Sequence, residues 1–117
     1  MADWRRLNRP SRMKFGEFKA SLAEQEPPSG LSPALAALWW AYKKDWEIAH
    51  SIVMNEADPI CAWVHAYLHR VEGDLDNARY WYGQAKRAVS SEPLDAECDA
   101  IARELLEWSP PRPSGFI

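Results

Sequence analysis

Gly73-Asp74 constrains this chain more than any other pair of residues, because helical periodicity runs up to it from one side and away from it on the other. Glycine takes the left-handed conformation that ends a helix without steric cost. An aspartate directly after it can accept a hydrogen bond from the free amides that open the next helix. So short a turn makes the two helices antiparallel neighbours with complementary facing stripes. Upstream the stripe is Val64, Tyr67, Leu68 and Val71; downstream it is Leu75, Ala78, Tyr82 and Ala85, at helical spacing.

The same pattern occurs 29 residues earlier, where Asp45 aligns with Asp74, Ala37 with Ala66 and Ala49 with Ala78. These identities fall on a cap and on small residues where helices approach closely, which is the signature of stacked helix hairpins. Gly73-Asp74-Leu75, followed by Ala78, Tyr82 and Ala85 and preceded by Ala66, resembles the tetratricopeptide repeat. The resemblance implies a short right-handed α-α superhelix. Ala62, His65 and His69 stand where that repeat prefers tryptophan, leucine and tyrosine, and Lys44 replaces the turn glycine in the first copy. The longer string from Ala62 to Ala85 is also similar to a group of short bacterial proteins; that resemblance covers residues 13 to about 108 and implies a fold, not an activity.

The expected fold is all-α with about six helices. Phe15, Phe18 and Leu22 mark the first, which stops before Pro27-Pro28-Ser29-Gly30. Ser32 caps the second, with Pro33 in its first turn. The third opens near Asp45 and the fourth at Pro59. Ser90-Ser91-Glu92-Pro93 separates the fifth from a last helix with the stripe Leu94, Cys98, Ile101, Leu105 and Trp108. Two hairpins alone would leave open faces, so the first and last helices are expected to cap the stack. Residues 1–12 read as a flexible basic arm, 13–108 as one helical-repeat domain and 109–117 as a disordered tail.

A chain of 117 residues suits one domain with a modest core. Cys61 and Cys98 lack metal-ligand spacing and read as reduced thiols. No apolar run approaches the roughly 18 residues of a membrane span, and the N-terminus has no apolar signal core, so a cytoplasmic location without membrane contact is expected. Residues 1 to 14 carry a net charge of +4, which leaves −7 for the rest of a chain whose total is −3. An acidic body disfavours nucleic acid as a partner.

Chemistry, if present, centres on the histidines. His65 and His69 stand at i and i+4 with Glu72 at i+7, along one strip of the fourth helix. Two imidazoles so spaced can chelate a metal and Glu72 could add a third ligand, but the His-Glu-x-x-His order is absent and His50 would have to arrive from another helix. Their places in the repeat favour semi-buried imidazoles bonded to backbone or carboxylates. On that reading, replacing either histidine lowers stability and zinc has little effect. Arg70 and Arg79 are close enough in sequence to line an anionic pocket beside them. No nucleophile motif or phosphate loop supports catalysis, and Glu97, Asp99, Glu104 and Glu107 read as a solvated helix face.

Consecutive helical residues point about 100° apart, so neither Tyr80-Trp81-Tyr82 nor Trp39-Trp40 can face inward as a run. Tyr82 and Trp39 are assigned to the core and Trp40 and Trp81 to wedges between hairpins. Alternatively Trp40, Tyr80 and Trp81 line a binding surface with His65, His69, Glu72, Arg70 and Arg79, since aromatic and arginine side chains anchor interfaces. The sequence thus points to a non-catalytic module, free of cofactors, that binds a protein, a peptide or a second copy of itself. The alternative is a small metal-binding protein or enzyme using His65, His69 and Glu72.

Overall fold

Six α-helices and no strand make up residues 13–107, the part of the chain that the computed structural model describes. They are α1 (Phe15–Ser21), α2 (Pro33–Tyr42), α3 (Trp46–Val53), α4 (Pro59–Val71), α5 (Leu75–Ala85) and α6 (Leu94–Glu107). The basic arm, the tail and Trp108 lie outside the described residues. No helix among the described residues is long and apolar enough to cross a membrane.

Local chemistry sets the boundaries. Ser32, Asp45, Asp58 and Asp74 each accept a hydrogen bond from the backbone amide three residues on, and such caps contribute about 1 kcal/mol apiece. Pro33 and Pro59 open α2 and α4, where a missing N–H costs nothing. At the end of α4 the Asp74 amide donates to His69 O at 2.9 Å and the Gly73 amide to Arg70 O at 3.1 Å, with Gly73 at φ +85°. This is the Schellman arrangement. It recurs at the end of α2, where the Asp45 amide reaches Trp40 O and the Lys44 amide reaches Ala41 O. Lys44 holds φ +65° there, the left-handed conformation that Gly73 takes in the second hairpin, despite the cost to a side chain of about 1 kcal/mol. Backbone geometry therefore repeats where sequence identity has lapsed.

Each turn folds its two helices into a hairpin, α2 on α3 and α4 on α5, and the hairpins meet through α3 and α4 and through α2 and α4. The last helix packs on both α2 and α4, and α1 on α6, so the terminal helices do cover faces that two hairpins would leave open. Trp39, Tyr82, Phe18, Leu38, Leu68, Ile101, Val53 and Val64 fill the core between them. Both assigned core aromatics are thus where expected.

Three stripe positions differ from expectation, one of them Leu94, exposed at the first position of α6. Val71 and Leu75 are exposed, because they flank the turn at the hairpin tip, where the facing helix has already ended. Glu97 differs more. Instead of facing solvent it is 4% exposed, since it borders the Cys98, Ile101 and Leu105 stripe and is drawn inward by Arg70 of α4 and Tyr82 of α5.

Gly73→Ala is expected to lower stability by roughly 1 kcal/mol, through backbone conformation alone, because an added Cβ would meet nothing within 4 Å. Urea unfolding of the variant checks this. An unchanged midpoint would contradict the hairpin turn as described.

Candidate metal centre

The aspartate that caps α3 fixes where that helix starts, and so places Trp46 and His50 one turn apart on the side that meets α4. His65 and His69 are one turn apart on α4 and face back. Trp46 secures the crossing by donating its indole N–H to the Leu68 carbonyl at 2.7 Å. Its ring stacks on His50 at 4.5 Å between centroids. From the other side Trp81 of α5 stacks on His65 at 4.0 Å. Three imidazoles from two hairpins are thereby held between two indoles.

Their polar contacts are specific. His50 Nε2 and His65 Nε2 are 3.1 Å apart. His69 Nδ1 is 2.6 Å from Glu72 Oε2, so with the carboxylate as acceptor Nδ1 is the donor, and in the neutral ring the lone pair is then on Nε2. One ligand nitrogen from each of His50, His65 and His69 can be chosen so that all lie within 4.8 Å of one another. His65 Nδ1 is buried with no hydrogen-bond partner, and an unmet polar group costs about 1–3 kcal/mol. Burial first, then the neighbouring His50 and His69, pushes the His65 imidazole down to about 4. Burial and His69 lower that of His50 as well, against the opposing pull of Glu72 and Glu47. Both rings are therefore held towards the neutral form, the one that ligates metal.

Of the residues singled out in the sequence, His65, His69, Glu72 and Trp81 come together here. Tyr80 packs edge-on against Trp81 at 5.1 Å and is otherwise exposed. Arg70 turns the other way, to Glu97 and the Glu92 carbonyl. Arg79 pairs with Asp76 at 3.1 Å on the open surface, and Trp40 packs edge-on against Trp39. Neither arginine forms the anticipated pocket beside the histidines. Pattern reading named His50 only as a residue that would have to arrive from another helix, and it missed Trp46 as a residue of the site. In the 29-residue alignment His50 corresponds to Arg79, which is solvated, and only the folding of α4 over α3 distinguishes the two positions. The one available signal was Trp46-x-x-x-His50, an aromatic and a potential ligand on one helical face.

Compared with known proteins, the chain matches no family, no curated protein and no solved structure.

Proposed function

We propose that this protein binds a divalent transition metal, of the zinc and copper class, through His50, His65 and His69. The observation that carries the reading is the arrival of His50, from a different hairpin, beside the pair on α4. Zinc–nitrogen bonds of about 2.0–2.1 Å at tetrahedral angles put two ligand nitrogens roughly 3.3 Å apart. The His50 and His65 nitrogens, at 3.1 Å, are already close to that separation, and all three ligand nitrogens lie within 4.8 Å of one another. Glu72 plays the part usual for a carboxylate behind a ligating histidine, fixing the tautomer that frees Nε2 of His69. Glu47 and Glu72 both act on His50, so with neutral imidazoles the local field favours a cation.

Packing alone gives little reason for this composition. Two buried positions at which the repeat-like pattern prefers leucine and tyrosine carry imidazoles. The hairpins that resemble tetratricopeptide repeats serve in this reading as the frame that holds the ligands. Tyr80 and Leu75, exposed on α5, support protein contact as a second role. Cys61 and Cys98 are free and buried, which supports a reducing, cytoplasmic setting.

Nickel or copper tests the reading through tryptophan emission, because Trp46 and Trp81 stack directly on two of the ligands. A quench saturating at one equivalent is expected, on the scale of two of the seven tryptophans, and absent in His50→Ala. A gradual quench of equal size in that variant would count against the site.

A further inference from the structure

We infer that the metal at this site keeps one coordination position open to a small neutral donor from solution, with water there at rest and an amine or imidazole-like ring when one is supplied. The inference rests on the metal reading and deepens it. Among the described residues, the donors that converge around His50 are three imidazoles. Glu72 belongs to a different set, with His69 and Asp74, and its oxygen is already committed to His69 Nδ1 at 2.6 Å. A tetrahedral ion held by three nitrogens is one ligand short. Four protein ligands close a structural zinc site, whereas three leave a position that exchanges.

Exposure shows which side is open. His65 and His69 are buried, at 4% and 6%, but His50 and the two flanking indoles are half-buried and Glu72 reaches the surface. Water thus reaches the cluster from the side of His50 and Glu72. Charge decides what the open position takes. Glu72 sits on His69 at 2.6 Å and Glu47 one turn before His50 on α3, so two carboxylates flank the ion and an incoming anion meets negative charge that a neutral donor does not.

Cobalt-loaded protein gives a direct test, because cobalt(II) takes the same ligands as zinc and its visible bands report each change of coordination. The full chain is loaded and desalted, its cobalt content is measured, and imidazole and azide are titrated separately. Imidazole is expected to shift the bands saturably while cobalt stays bound, and azide to bind about tenfold more weakly or worse. Retained cobalt whose spectrum neither ligand moves would overturn this inference alone, by showing a closed site. Azide binding as tightly as imidazole would overturn the preference for a neutral donor. Protein that retains no cobalt would overturn the metal reading and this inference together.

Discussion

Glu97→Ala is expected to destabilise the protein by about 3–5 kcal/mol, the range for removing one partner of a buried ion pair. The Glu97 carboxylate, 4% exposed, accepts from Arg70 Nη1 at 2.5 Å and from the Tyr82 hydroxyl. Alanine would strand the Tyr82 phenol away from water and leave the half-buried Arg70 guanidinium without its carboxylate. Burial, and then Glu97 itself, raises the Tyr82 hydroxyl well above its ordinary range, so it stays a donor that needs its acceptor. Arg70 also donates to the Glu92 carbonyl, so losing its partner loosens the segment between α5 and α6. Urea unfolding measures the loss. Adding Tyr82→Phe to Glu97→Ala should return part of it, because the stranded hydroxyl is then gone, with a coupling of roughly 0.5–3 kcal/mol. A loss below about 1 kcal/mol, as for a solvated pair such as Arg79 with Asp76, would show that the network is not buried in solution.

Glu97 also marks how far the sequence could be read. Features that act within one or two helical turns were legible: the caps at Ser32, Asp45 and Asp74, the left-handed glycine at 73, and the buried parts of the stripes of α5 and α6. These follow from backbone chemistry and from the 3.6-residue period, which need only local residues. Contacts between elements were not legible in the same way. A glutamate beside an apolar stripe reads as solvated until an arginine from another helix is seen to reach it, and Arg70 lies 27 positions from Glu97.

The candidate site divides along the same line. His65, His69 and Glu72 share one helix, so their common strip was visible from spacing alone. His50 is 15 positions from His65, across a turn and the start of a new hairpin. Its alignment partner Arg79 faces solvent, and among the described residues the helix after α5 packs elsewhere, on α2 and α4. With two histidines in view, a structural role was the better reading and zinc was expected to have little effect. The third imidazole is the observation on which the proposed metal reading departs from that expectation.

Thermal unfolding with and without zinc tests the central claim most directly. A ligand that binds only the folded state at a hundred times its dissociation constant adds about 2.7 kcal/mol, which for a domain of this size is a rise in Tm of roughly 10–20 °C. The wild-type chain should show that rise, saturating with one zinc per molecule. His50→Ala should fold and lose it, since the two remaining imidazoles on α4 chelate weakly. A wild-type midpoint that zinc leaves unchanged, or an equal rise in His50→Ala, would contradict the account.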